Sequence, residues 1–339
     1  MATVALEFSR AMLAEGASMV FFSSRQRPAG TGDWKAQFIF SPHRHELANK
    51  LYWLPRVEPL AGVDVVFYPY WPASPLRSSQ APPSVVYVHD LAFRLRPEAV
   101  PWQQRLYLGR LIPAALRSSA LIFTPSEATR QDLLLAYPRH HLSGRVMVIP
   151  PGSALDAVTP GAVPAGLPED FVLAVGTIEP RKNYPILLEA HRRLADRPPL
   201  VVVGQRGWGS ADIVRGLEQD PKVVLLGHTD DATLRALYRR ARLLVFPSLY
   251  EGFGLPLLEA MAEGLPAVVS SAGALSEVAG GAALLVRPDD PAAIADAMRS
   301  VLDDPGLAAR LSERGRARAA QFSWRSSARR ALELLAQVR

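Results

Sequence analysis
Cysteine is absent from all 339 residues. That excludes disulfides, thiolate metal ligands and a cysteine nucleophile, and gives no sign of an oxidising compartment. No run approaches the ~20 apolar residues that a membrane-spanning helix requires. The opening Met1-Ala2-Thr3-Val4-Ala5-Leu6-Glu7 has no basic stretch leading into an apolar one. No signal peptide is therefore expected, and a cytoplasmic location is the default expectation. Several chemical signatures are also missing. There is no Gly-x-Gly-x-x-Gly, no Gly-Lys-Ser/Thr phosphate loop and no Gly-x-Ser-x-Gly, which argues against dehydrogenases, P-loop enzymes and serine hydrolases of that type. The acidic pairs Asp230-Asp231, Asp289-Asp290 and Asp303-Asp304 are adjacent rather than one apart, and no two His flank a Glu at helical spacing. No metal site and no cofactor are expected. Lysine is scarce: 34 of the 38 basic residues are Arg.

What is present is an ordinary globular mix, 49% apolar and 21% charged. At roughly 100–200 residues per domain the length suggests two domains with separate cores. Charge is uneven. Residues 1–150 hold 16 Lys+Arg and 10 Asp+Glu, net +6, whereas residues 151–339 hold 22 of each. The excess can attract nucleic acid, anionic lipid or an anionic substrate, or it can reflect only an Arg-rich composition.

Short apolar runs alternate with helical stretches. Strands are predicted at 19–23, 64–68, 84–89, 120–124 and 145–149, and helices at 5–14, 103–116 and 126–135 with Ser126 as N-cap. After a Pro- and Gly-rich stretch, strands follow at 171–175, 200–203, 223–226, 243–246, 267–270 and 283–286. Helices are predicted at 184–194, 232–240, 257–263, 292–302 and 324–338. Runs of four to six apolar residues separated by helices indicate buried parallel strands. The expected fold is α/β, two Rossmann-like doubly wound domains facing a cleft, the first without the strand that usually opens such a domain. Its expected parts are a domain over 1–150, a linker over 151–169, a second domain over 170–322, and a final helix over 323–339 that packs back on the first.

Three segments carry candidate chemistry. In Glu251-Gly252-Phe253-Gly254-Leu255-Pro256 a loop follows a strand and opens a helix. Exposed N–H groups at such a helix start suit phosphate, and glycine permits close backbone approach. Glu251 and Glu259 are placed to accept hydrogen bonds from sugar hydroxyls. The run Gly176-Thr177-Ile178-Glu179-Pro180-Arg181-Lys182-Asn183 also follows a strand, and adjacent Arg and Lys suit a diphosphate. His89-Asp90 ends a strand in the first half. His43, His45, His140, His141 and His191 have no partner spacing and are expected at the surface. Between Arg94 and Arg117 five Arg interleave with Trp102, Leu106, Tyr107, Leu108, Leu111 and Ile112. That pattern suits either an ordinary core-facing stripe or a helix that contacts anionic lipid.

Together these segments resemble the retaining glycosyltransferases of family 4, which have the GT-B fold, and in particular bacterial mannosyltransferases of polysaccharide biosynthesis. Glu251 and Glu259 match the family's paired-glutamate motif, the run from Gly176 to Asn183 resembles its donor-diphosphate loop, and His89-Asp90-Leu91-Ala92-Phe93 resembles its acceptor-domain histidine segment. The likeness spans roughly residues 60–300. It implies transfer of a hexosyl group, mannose from GDP-mannose first, to a saccharide or lipid-linked acceptor, with retention and without a metal ion. It implies that Arg181 and Lys182 hold the diphosphate, Glu259 the ribose, and Glu251 with Gly252, Phe253, Gly254 and Leu255 the donor sugar. His89 would meet the sugar near the reacting carbon, and the backbone at His228 the base. Gly176-Thr177 departs from the Gly-Arg of many members, which leaves Arg181 to serve in its place. Two other readings stand beside this one: a nucleotide-sugar-binding module without turnover, and a nucleic-acid-binding protein suggested by the basic first half. The second lacks the stacked strand aromatics and recognition helix of known modules.

Overall fold
The structure is a computed structural model and describes residues 2–24, 28–43, 48–69, 72–155 and 158–338. The chain forms two compact units. The first comprises Met1–Arg94, Trp102–Pro151 and Ser323–Arg339, the second Leu95–Pro101 and Gly152–Phe322.

The first unit opens with helix α1 (Ala2–Ala14). Strands β1 (Val20–Ser24) and β2 (Gln37–Ser41) then pair in parallel as a separate two-stranded sheet. A four-stranded parallel sheet follows in chain order, β3 (Val66–Tyr68), β4 (Ser84–Tyr87), β5 (Leu121–Thr124) and β6 (Val146–Val148). Helix α2 (Trp102–Ser118) links β4 to β5, and α3 (Glu127–Ala136) links β5 to β6. The Ser126 side chain caps α3 by accepting from the Thr129 N–H, satisfying one of the donors a helix start leaves unpaired. Phe8 and Met12 of α1 pack on Val85, Tyr87, Leu121 and Phe123 of the sheet, together with Ala328, Ala331 and Leu334 from the last helix of the chain.

The second unit is built on six parallel strands: β7 (Val172–Val175), β8 (Leu200–Val203), β9 (Val223–Gly227), β10 (Leu243–Phe246), β11 (Ala267–Ser270) and β12 (Leu284–Val286). Their order across the sheet is β9-β8-β7-β10-β11-β12. Counted from β7 this is 3-2-1-4-5-6, the doubly wound order. Side chains alternate between two cores because successive Cβ atoms leave a strand on opposite faces. Phe171, Leu173 and Val175 join one cluster, Val172 and Ala174 the other. The helices are α4 (Tyr184–Arg192), α5 (Ala211–Glu218), α6 (Asp231–Arg240), α7 (Leu255–Glu263), α8 (Leu275–Ala279), α9 (Pro291–Asp303) and α10 (Pro305–Ala319). Helix α11 (Trp324–Ala336) then returns to the first unit.

The four- and six-stranded sheets are parallel and packed by helices, as the apolar runs require. Strand β2 and helices α5, α8 and α10 have no counterpart in the sequence reading. Helix α10, with three Arg in its last turns, buries only Leu311, Gly315 and Ala319, too thin a stripe to register as periodicity. His191 corrects an expectation. It is fully buried, not superficial. Its ring sits on the inner side of α4, where Nε2 donates to the Pro198 carbonyl at 2.7 Å and Arg197 lies 3.3 Å from Nδ1. His45 lies outside the described residues.

Candidate active site
Strands β7 and β10 are neighbours in the sheet but 71 residues apart at their starts, Val172 and Leu243, which pair in register. From β7 the chain winds outward to β8 and β9, then returns to wind the other way through β10, β11 and β12. The loops leaving the carboxyl ends of β7 and β10 therefore diverge, and such a switch point leaves a crevice for a ligand. Both glycine-bearing segments of the second domain fall on these two loops.

Side chains join the loops across that point. Lys182 Nζ donates to Glu251 Oε1 at 2.6 Å, and Arg181 Nη1 lies 2.9 Å from Glu251 Oε2. Arg181 also donates to the Tyr250 carbonyl at 2.9 Å and to Glu179 at 2.7 Å. The Lys182 ammonium sits 4.7 Å from the centre of the Phe246 ring, a cation–π contact at the end of β10. The loops are held in register by Asn183, whose Nδ2 donates to the Pro247 carbonyl at 3.1 Å and to the Pro288 carbonyl at 2.6 Å. Asn183 is left-handed, with φ 62°, a conformation that Asn tolerates better than most residues. Gly176 leaves the lysine its space, since a Cβ there would sit 3.1 Å from Lys182 Cε.

Glu251, Arg181 and Lys182 keep only 10%, 16% and 10% of their side-chain surface exposed. Burial alone raises a carboxyl's pKa, but the two cations outweigh it and hold Glu251 at about 2. Lys182 moves the other way from an ordinary ion pair: burial lowers its pKa, and Arg181 beside it adds to that, while Glu251 only partly compensates. The cluster favours its anion and is crowded for its cations. The buried Ser248 hydroxyl lies beside the same carboxylate. The Glu251 backbone is set by Gly273, because a Cβ at that residue would fall 2.5 Å from the Glu251 carbonyl oxygen, and the next residue, Ala274, donates to that oxygen at 3.0 Å.

Glu259 is on the second turn of α7 and is also buried, accepting from the Tyr238 hydroxyl of α6 at 2.9 Å. Neither Glu251 nor Glu259 is a solvated surface acid. Gly252, Phe253 and Gly254 are buried in the loop before α7, and Leu255 is its half-buried first residue. Gly254 takes a left-handed conformation, φ 106°, as the N-cap. The Phe253 ring belongs to the core, packed edge-on to Phe322 at 5.5 Å, so only its backbone remains for a ligand. His228 follows β9 and is exposed.

His89 belongs to the first unit, two residues beyond β4. Its Nε2 lies 2.7 Å from the Pro69 carbonyl, which can only accept, so that nitrogen carries the proton. The ring stacks obliquely on Tyr87 at 4.7 Å. Burial lowers its pKa to about 4, partly offset by the Pro69 hydrogen bond. Asp90 is occupied locally, accepting from the Ala92 N–H at 3.0 Å. Among the described residues no group of three or more His, Asp or Glu side chains is arranged to hold a metal ion, and no helix is long and apolar enough to cross a membrane.

Sequence reasoning found the two loops and both glutamates. It missed Tyr238, Gly273 and the bridging role of Asn183. Their partners are 21 to 105 residues away, and only the fold brings them together.

Comparison with known proteins matches residues 162–318 to the family described as glycosyl transferases group 1 and residues 1–157 to glycosyltransferase family 4. The O-antigen chain mannosyltransferase B of Escherichia coli is 33% identical over 257 residues, 71% of this chain and 67% of the relative. The serotype-specific mannosyltransferase WbdA of Escherichia coli is 34% identical over 176 residues, 49% of this chain and 22% of the relative. The chain thus spans two thirds of one curated relative and about a fifth of the other. Among solved structures, a sucrose-phosphate synthase from Thermosynechococcus elongatus superposes with a TM-score of 0.74 at 25% identity, covering 98% of this chain and 91% of that one.

Proposed function
The chain belongs to glycosyltransferase family 4, with the GT-B fold, and on that premise we propose that it transfers a mannosyl group from GDP-mannose to a saccharide or lipid-linked acceptor, with retention and without a metal ion. The observation that carries this reading is the buried cluster of Arg181, Lys182 and Glu251 at the switch point between β7 and β10, with a second buried carboxylate, Glu259, on the helix that follows β10. The mannosyl assignment draws on the relatives named above.

In this reading Arg181 and Lys182 bind the donor diphosphate. As the bond from the sugar's anomeric carbon to the diphosphate oxygen breaks, that oxygen keeps the electron pair. Fixed cations in a partly dehydrated site stabilise this growing charge more than they stabilise the bound donor, and that difference accelerates transfer. The acceptor hydroxyl bonds to the anomeric carbon on the face the diphosphate leaves, and its proton passes to a phosphate oxygen. Glu259, held by Tyr238, accepts from the ribose hydroxyls. Glu251, ionised at neutral pH, accepts from the sugar hydroxyls. The backbone of Gly252, Phe253, Gly254 and Leu255 lies alongside the sugar, and that of His228 beside the base. His89, neutral with its proton on Nε2, meets a sugar hydroxyl. The protein works in the cytoplasm, where nucleotide-sugars are made.

The test is a thermal-shift panel of GDP-, UDP- and ADP-sugars with and without EDTA, followed by transfer assays. Ligand at ~100 times its dissociation constant adds about 2.7 kcal/mol. A clear shift with GDP-mannose that persists in EDTA supports the reading. A shift abolished by EDTA refutes metal independence, and no shift with any nucleotide-sugar refutes the site.

A further inference from the structure
The first unit buries a carboxylate outside the site already described. Glu58 opens a one-turn 3-10 helix, Glu58–Leu60, and is fully buried. One of its oxygens accepts from the Tyr68 hydroxyl and the other from Arg77 Nε at 2.9 Å. Arg77 keeps 8% of its side-chain surface exposed, and its guanidinium also donates to the Pro82 carbonyl. Burial and the adjoining carboxylate raise the Tyr68 pKa, so the hydroxyl keeps its proton and donates. The three side chains join two strands. Tyr68 is the last residue of β3, and Pro82 lies two residues before β4 begins. These strands pair with each other, Tyr68 opposite Val86. His89 and the carbonyl it meets lie just past their ends: Pro69 follows Tyr68, and its oxygen is 2.7 Å from His89 Nε2.

We propose that Glu58, Arg77 and Tyr68 are positioning residues for His89, clamping the end of β3 so that the Pro69 carbonyl holds the imidazole in one tautomer and one orientation. The hydrogen bond between His89 and Pro69 needs both of its sides fixed. On the His89 side the sheet does this, the Val88 N–H donating to the Phe123 carbonyl at 2.8 Å. The Pro69 side lacks that device, because proline has no N–H to join a ladder. Its carbonyl is placed through Tyr68, whose ring is tied at its far end to Glu58. The planar peptide carries the constraint one residue on, and a residue before proline is confined to extended backbone. A buried ion pair adds little net stability over apolar side chains of the same volume, so its weight here is geometric. A carbonyl only accepts, and it keeps the proton on Nε2 for as long as it stays in place. Displacing it would let the proton redistribute between the two ring nitrogens and the ring turn. The proposal rests on the reading of His89 as a group that meets the donor sugar.

The experiment reads the histidine ring nitrogens of the full, isotope-labelled chain by NMR, His89 being assigned from the signals lost in His89→Ala. Tyr68→Phe and Glu58→Gln each cut the clamp. The first removes a single oxygen and keeps the ring, so it decides the matter even if the second folds poorly. In the parent, Nε2 is expected to carry the proton and to exchange it slowly. Both variants should speed that exchange or mix in the Nδ1–H tautomer, whereas Leu133→Ala, which truncates a buried side chain of α3, should do neither. GDP release from GDP-mannose should fall roughly tenfold in Tyr68→Phe while GDP affinity stays within about twofold of the parent. In the His89→Ala background Tyr68→Phe should cost nothing further, since changes that act through one residue do not add. Unchanged His89 signals in Tyr68→Phe overturn the proposal. So does an equal change in Leu133→Ala, or a full further loss in the double variant. If His89→Ala itself leaves GDP release intact, the transfer role of His89 fails, and the ring signals still decide whether the clamp sets its tautomer.

Discussion

Replacing Glu251 by Gln tests the central arrangement. The change keeps the side chain's shape and an acceptor oxygen while removing the charge that Arg181 and Lys182 share. A carboxyl held at about 2 instead of its ordinary 4.5 reflects roughly 3 kcal/mol of interaction at neutral pH. The crowding of Lys182 takes back part of this, so a net loss of about 2–3 kcal/mol is expected. At about 2–4 °C per kcal/mol, the unfolding midpoint should fall by roughly 5–10 °C. The pH dependence has a definite sign. The unfolded carboxyl titrates near 4.5 and the folded one at about 2, so the stabilisation is complete above about pH 4.5 and is lost as pH falls toward 2. The gap between the two proteins should be full at pH 7 and shrink below pH 4.5. Removing Glu251 also leaves the cations without their main anion, so GDP should raise the midpoint of the variant more than that of the parent, although sugar transfer falls. Thermal unfolding at pH 7 and pH 3.5, with and without GDP, reads all of this. An equally stable variant with no greater response to GDP would show that Glu251 does not hold the cations.

Glu259→Ala should weaken GDP binding by roughly 1.5–3 kcal/mol, the scale of hydrogen bonds to a charged group, measured by calorimetry; unchanged affinity in a folded protein would remove Glu259 from the nucleotide. His89→Ala should cut turnover far more than GDP affinity, because His89 lies on the first unit and the cations on the second. With the folded His89 titrating near 4 and the unfolded imidazole near 6.5, its contribution to stability declines as pH drops below 6.5, and the transfer rate should show no His89 ionisation between pH 5.5 and 8; a rate step near 6.5 that disappears in His89→Ala would contradict this. Gly273→Ala should destabilise by about 1–3 kcal/mol and lower activity, since its φ of 61° and the 2.5 Å approach to the Glu251 carbonyl oxygen leave no place for a methyl group; a variant of parental stability and rate would show that the loop yields freely.

What the sequence discloses depends on how far apart the cooperating residues lie. Strand β10, its loop and α7 are one continuous segment, so the glycines, Pro256 at the helix start and Gly264 at its end can be read together. The same holds for β7 and the turn carrying Arg181 and Lys182. That these two segments meet is not local information. It follows from the strand order, which puts β10 beside β7, and neither loop states that order by itself. Tyr238 reads as an ordinary aromatic on an amphipathic helix until α6 is seen to deliver its hydroxyl to Glu259. His191 shows the opposite failure. A histidine followed by two arginines, Arg192 and Arg193, looks solvated in sequence, yet the ring lies on the buried side of α4 and finds a carbonyl seven residues on.

In the proposed reading the second unit attracts an anion by arrangement rather than by net charge. Over Leu95–Pro101 and Gly152–Phe322 the second unit carries 22 acidic against 19 basic residues, and the cluster at the switch point is itself balanced, with Arg181 and Lys182 facing Glu179 and Glu251. Balance is what allows four charged groups to sit in a partly dehydrated place, because an unpaired buried charge costs several kcal/mol. It also sets a condition on the ligand. A diphosphate alone competes with Glu251 for the cations, whereas a diphosphate joined to a sugar supplies hydroxyl donors to the carboxylate it displaces. A ligand carrying both parts leaves every group of the cluster with a partner, and a ligand carrying either part alone does not. In the proposed reading, a preference of the site for an intact nucleotide-sugar over its fragments follows from a buried ion-pair cluster with no net charge.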